Sequence, residues 1–268
     1  MKNILLLLII SALSFPIAAQ KKLVSGLSDF TEISFRTGGK LYLRQGSPQK
    51  VEIEGEKDML EETEVSVEDG KLIIKQKGKW NWGWENNDDF KVYITVPRIE
   101  LISAAGSGDI LAETKITSQH LSLKVSGSGS IRAEIDAGDV EADVTGSGKI
   151  EMNGICKNLE SDVTGSGKLL FDAQVAETVD LGVSGSGKIQ GSGKTKFVKT
   201  SVTGSGKVLA ADLVTEKCEV RISGSGDVEI NVVEELTSKI SGSGDIRYKG
   251  EPKRVNNQSS GSGSVRKM

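Results

Sequence analysis

A Gly-Ser-Gly triplet returns along most of the chain at nearly constant spacing. Its first glycines are Gly106, Gly127, Gly146, Gly165, Gly185, Gly204, Gly224, Gly242 and Gly261, at intervals of 21, 19, 19, 20, 19, 20, 18 and 19 residues. Such a period signals stacked supersecondary units. A flexible Gly/Ser linker would show the same letters, but here the flanking columns are apolar. Two residues before the triplet stand Ala104, Val125, Val144, Val163, Val183, Val202, Ile222, Ile240 and Ser259. Two residues after it stand Ile110, Ile131, Ile150, Leu169, Ile189, Val208, Val228, Ile246 and Val265. Period-two alternation with β-branched residues means strand. Gly at this density also disfavours helix.

A coil of nineteen residues cannot bury its own apolar face, and stacking coils solves this. Like residues then lie over like residues at steps of about 4.8 Å, so eight steps give roughly 38 Å. The expectation is an all-β chain: a single-stranded right-handed β-helix (β-solenoid) with coils of about 19 residues over 101–268. Gly facing inward allows either a close approach of walls or a sharp corner at positive φ. Ser107 to Ser262, between the glycines, should form an outer ladder of hydroxyls that can bond one another. Ser126, Thr145, Thr164, Ser184, Thr203, Ser223 and Ser241 should form a second.

Before Gly106 the period is lost but β signals persist. "FTEISF" (30–35), "KLYLRQG" (40–46) and "KVEIEGE" (50–56) alternate, and "DMLEET" (58–63) suits one helical turn. "EVSVEDGKLIIKQK" (64–77) reads as a hairpin turning at Asp69-Gly70. "DFKVYITVP" (89–97) reads as a strand stopped by Pro97. Residues 20–100 are therefore expected to form an irregular β cap continuous with the solenoid, covering edges that would otherwise invite aggregation. Residues 1–19 read as a signal peptide: a positive start at Lys2, an apolar run from Ile4 to Leu13, and small residues before Gln20. No later run is long enough to span a bilayer as a helix. Export permits disulfides. Cys156 and Cys218 fall three coils apart, near 14 Å, against the roughly 7 Å limit between bridged Cα atoms. Two free, buried thiols are expected.

The net charge of −3 argues against a nucleic-acid partner. His120 is the only histidine, so a His-rich metal cluster is out of reach, and it reads as a bystander. "GSGKT" (191–195) resembles a phosphate-binding loop. The full motif needs Gly five places before Gly193, where Lys188 stands, and a following helix. Glu141, Glu160 and Asp180 form one acidic column and Asp143 and Asp162 another. They read as a solvated stripe, with Ca²⁺ as the functional alternative. Lys149, Lys168, Lys188 and Lys207 follow successive triplets and stack into a basic ladder suited to a polyanion, or simply to solubility. "KWNWGWENNDDF" (79–90) holds all three tryptophans, Trp80, Trp82 and Trp84, on one face if extended. That platform suits a sugar ring or a protein patch, or packing on the cap, and it ranks first as a binding candidate.

The short strands of 30–56, the "DGKLIIK" hairpin (69–75), "VYITVPRIELISAAGSGDI" (92–110) and the recurring "SGSG" and "TGSG" units together resemble the putative auto-transporter adhesin family with the head GIN domain. That resemblance spans the whole mature chain and implies an exported β-helix-like protein. It brings no catalytic residues. The expected function is a non-enzymatic envelope or cell-surface protein, periplasmic or outer, that binds a glycan or protein partner and needs no cofactor or metal. A carbohydrate-active β-helix lyase or hydrolase, or a purely structural periplasmic module, are the alternatives.

Overall fold

The computed structural model describes residues 20–77 and 89–268. The leader expected over 1–19 lies outside them. Strands β1 (Gln20–Val24), β2 (Glu32–Arg36), β3 (Lys40–Gln45) and β4 (Lys50–Gly55) precede a short helix, α1 (Lys57–Glu62). Then come β5 (Thr63–Glu68), β6 (Lys71–Gln76), β7 (Lys91–Val96), β8 (Leu101–Gly106) and β9 (Asp109–Ala112). Long strands that each run through most of a coil follow: β10 (Ile116–Gly127), β11 (Ser130–Gly146), β12 (Lys149–Gly165), β13 (Lys168–Gly185), β14 (Lys188–Gly204), β15 (Lys207–Gly224) and β16 (Asp227–Gly242). The last are β17 (Asp245–Lys249), β18 (Arg254–Gly261) and β19 (Val265–Lys267). All belong to one sheet wound into a β-solenoid of about 9 turns.

From β10 to β16 each strand pairs in parallel with the next, and equivalent residues of successive triplets are partners. The inward columns are buried: Val125, Val144, Val163, Val183 and Val202 on one side of the corner, and Ile131, Ile150, Leu169, Ile189 and Val208 on the other. Polar residues at inward positions are bonded across coils. Thr200 donates to the Leu181 carbonyl at 3.2 Å and Thr195 to that of Glu177 at 3.0 Å. Among the described residues no buried side-chain polar atom lacks a partner, as burial demands.

Both readings of the triplet hold, one for each glycine. The first glycine turns the corner, with φ between +101° and +147° in all nine triplets. The second faces inward where the walls meet. At Gly167 a Cβ would lie 2.4 Å from Val144 Cγ1. The serine between them is exposed. Its ladder is held by backbone rather than by hydroxyls: Ser166 N–H donates to the Gly146 carbonyl at 2.9 Å, and Ser186 to that of Gly165 at 2.9 Å.

The N-terminal strands extend the same two walls in a different order. The wall before the corner runs β5–β6–β2–β8, then the C-terminal halves of the long strands, then β18. The wall after it runs β1–β4–β7–β3–β9, then the N-terminal halves, then β17 and β19. The first coil made, β2 with β3, is thus enclosed between β6/β7 and β8/β9. Asp69 (φ 50°) and Gly70 (φ 76°) form the β5–β6 turn, as expected from their sequence. Within α1, Met59 and Leu60 are buried and join the core.

Candidate functional site: the corner edge

Lys149, Lys168, Lys188 and Lys207 are register partners in four successive coils, one residue past the triplet. The outer two are tied down, Lys149 to Glu151 and Lys207 to Asp227 at 2.7 Å. Lys168 and Lys188 make no ion pair among the described residues. Toward the N-terminal end the same column continues through Ser130, Asp109, Lys40 and Lys91.

Trp80, Trp82 and Trp84 lie outside the described residues. The two anchors of their segment are well defined. It leaves from β6, where Lys77 N–H donates to the Glu62 carbonyl at 2.7 Å. It returns at Phe90, which is fully buried, stacks on Phe35 at 6.5 Å, and accepts from Lys40 N–H at 2.9 Å. β6 thus ends, and β7 begins, at the same edge where a triplet joins β8 to β9. Lys91, just past it, heads the lysine column, four coil steps from Lys149, or roughly 19 Å.

Next to Lys91 and Lys40 lies an aromatic pair that the sequence analysis missed. Tyr42 and Tyr93 are partners on the outer face of the wall, stacked at 5.3 Å, with Lys21 Nζ 4.5 Å from the Tyr93 ring. Partial burial, then the nearby Glu54, raise the Tyr93 pKa, so it stays a neutral hydroxyl at neutral pH. The signal was present: Lys-Leu-Tyr at 40–42 and Lys-Val-Tyr at 91–93 repeat one pattern.

The acidic stripe stacks as expected, with Glu141, Glu160 and Asp180 in register. Cations answer it. Lys124 Nζ lies 2.9 Å from Glu141 and 3.4 Å from Asp143, and Lys199 lies 2.6 Å from Asp180. The Lys124 hydrogen bond holds Glu141 below its ordinary value, while burial, then Glu141 itself, push Asp143 up. No group of three His, Cys, Asp or Glu could hold a metal ion among the described residues. A concavity of about 1020 Å³ opens beside this stripe rather than at the corner edge. Its rim carries His120, 3.3 Å from Asp139, which also accepts from Asn158 at 2.8 Å. His120 itself is exposed.

"GSGKT" lies inside β14. Gly191 is there because the Phe171 ring of the preceding coil lies over it: a Cβ would sit 2.3 Å from Phe171 Cζ. Cys156 and Cys218 are free and buried, and their columns differ: Cys156 pairs with Ala137 and Val175, Cys218 with Val198 and Leu236. Burial pushes the Cys156 thiol up to about 11 and that of Cys218 higher still. No helix among the described residues is long and apolar enough to cross a membrane.

Solved structures share this architecture. A putative lipid binding protein from Parabacteroides distasonis superimposes with a TM-score of 0.70 at 23% identity, covering 94% of this chain and 97% of that one. A putative adhesin from Parabacteroides merdae gives 0.67 at 20% identity, covering 94% and 96%. A putative adhesin from P. distasonis gives 0.67 at 22%, covering 93% and 97%. These likenesses bear on the fold alone. No curated protein matches the chain. The family described as putative auto-transporter adhesin, head GIN domain, matches residues 29–190 and 171–252, nearly the whole solenoid. The chain belongs to that family.

Proposed function

We propose that the protein is an exported, non-enzymatic binding protein of the cell envelope or surface, and that it engages an extended glycan or protein partner along its corner edge. One observation carries this reading: the tryptophan segment's anchors, the Tyr42/Tyr93 pair and the lysine ladder all lie along a single edge of the solenoid. Aromatic faces suit sugar rings or apolar patches, and Lys168 and Lys188 offer two ammonium groups with no ion pair among the described residues. Pairing through successive coils fixes the spacing of these groups, so a partner that docks meets a surface needing little ordering. The adhesin family membership is in keeping with a binding role.

A second reading, a carbohydrate-active enzyme, is favoured by the opposed shifts of Glu141 and Asp143, because pairs of carboxylates pushed apart serve as acid and base. One experiment separates the two. The protein is applied to an array of neutral and anionic glycans, and released reducing ends are assayed in parallel. Retention without release is the expected result. Release abolished by Glu141→Gln would overturn the binding reading in favour of the enzyme.

A further inference from the structure

We propose that copies of this chain associate head to tail, the free edge of β5 in one copy pairing with the free edge of β18 in the next. These are the two terminal strands of the same wall, and among the described residues each has a partner on one side alone, β6 and β16. Unpaired edges are templates for another strand. The two ends carry opposite charge. From Glu56 to Gly70 there are seven carboxylates and one lysine. From Arg247 to Met268 there are six cations, of which Lys253 and Arg254 lie on the β18 wall, and one carboxylate. Lys253 at one end, and Glu56, Asp58 and Asp69 at the other, make no ion pair among the described residues.

The contact is polar and reversible rather than a continuation of the core. In β18 the inward positions are Val255, Asn257 and Ser259, over Leu236, Ser238 and Ile240 of β16, so one buried isoleucine is followed by a serine. Asn257 Oδ1 accepts from Ser238 at 3.1 Å, and Ser259 donates to the Gly263 carbonyl at 3.1 Å. These groups are already bonded and add little apolar area. The other wall opposes a full coaxial stack, since β1 carries Lys21 and Lys22 and β19 carries Arg266 and Lys267. Attraction is confined to the β5–β18 wall. The contact joins unlike surfaces, so it does not close on itself as a two-fold dimer does.

Sedimentation velocity over a concentration series tests it. At low salt the protein should grow past the dimer as concentration rises, and should revert to monomer at high salt, because exposed charges are screened. Lys253→Glu with Arg254→Glu should abolish growth, as should Asp58→Lys with Glu68→Lys in a second protein. Mixing the two variants should restore association, since each then meets the opposite charge on the other. Circular dichroism melts check that both variants are folded. If one is not, the wild-type salt series alone decides. A monomer at every concentration, a closed dimer, or association indifferent to salt would each overturn the proposal.

Discussion

The coils from Gly106 onward and the strands before it complete the same two walls, but they place neighbours by different rules. In the repeat, sequence neighbours are spatial neighbours: Val144 stacks on Val125 and under Val163 because each coil follows the last. In the N-terminal part, β2 lies between β6 and β8, elements that follow it by about forty and seventy residues. The repeat can add coils one at a time, each on a finished surface. The first coil is enclosed only when β6/β7 and β8/β9 have both arrived. Its contacts are non-local, and non-local closure is slow. The N-terminal end gains a covering helix in return, with Met59 and Leu60 turned into the core.

The comparison breaks first under a buried charge. Val163 is fully buried in the middle of the repeat. Val163→Asp leaves an unpaired carboxylate between two valines and should cost about 4 kcal/mol or more. Phe35, buried in the enclosed coil and stacked on Phe90, offers the matching test. Phe35→Ala should cost about 3–5 kcal/mol. In refolding experiments it should slow folding more than the repeat substitution does. A Val163→Asp protein that melts like wild type would put the register of the repeat in error.

The next effect reports on the repeat alone, because both thiols lie there. Cys156 has its pKa raised from 9.0 to about 11 by burial, then by Asp139. A pKa raised in the folded state means that at pH 10 the unfolded chain has lost a proton that the native chain keeps. Stability is thus full below pH 9 and falls as pH rises toward 11, by about 2–3 kcal/mol for Cys156. Iodoacetamide at pH 8 should leave both thiols unmodified in the native protein and label both on unfolding, since the thiolate is the nucleophile. If the N-terminal end opens first on heating, loss of circular dichroism should precede labelling. Labelling in step with that loss would make the two regions one cooperative unit.

Glycine substitutions set the two regions apart more gently. Gly167→Ala puts a Cβ 2.4 Å from Val144 Cγ1 and should cost about 1–3 kcal/mol as overpacking. Gly70, in the hairpin, has φ +76° but nothing within 4 Å of an added Cβ. Gly70→Ala should cost about 1–2 kcal/mol, from the left-handed backbone alone. Thermal melts of the pair check the order, and a larger loss at Gly70 would reverse the account of the corner.

What the sequence showed follows from these rules. Period-19 columns made the register beside each triplet readable, because like sits on like at a fixed interval, but the register shifts between Gln174 and Thr178 and between Ala210 and Val214 were not. The Asp69-Gly70 hairpin and the strand ending at Pro97 were readable from local turn chemistry. The enclosure of β2 was not, since no local signal distinguishes a coil followed in space by its successor from one wrapped on both sides. The positive φ of each first glycine and the wall contact of each second glycine were both open from composition, and only the geometry separated them. At the candidate edge the lysine ladder was legible from the period. Tyr42 and Tyr93 were missed because their partnership depends on β3 and β7 lying together, which is the non-local order just described.

Lys168→Ala with Lys188→Ala should have the smallest effect on stability, within about 0.5 kcal/mol, since both side chains point outward and make no ion pair among the described residues. That near-neutrality makes the same positions the right place to test function. The most direct measurement is the glycan array, run side by side on wild type, on Lys168→Glu with Lys188→Glu, and on Trp80→Ala with Trp82→Ala and Trp84→Ala. The account predicts that both variants lose most of the wild-type signal while keeping its melting temperature, with the lysine variant losing anionic glycans above all. Full retention of binding by both folded variants would contradict it.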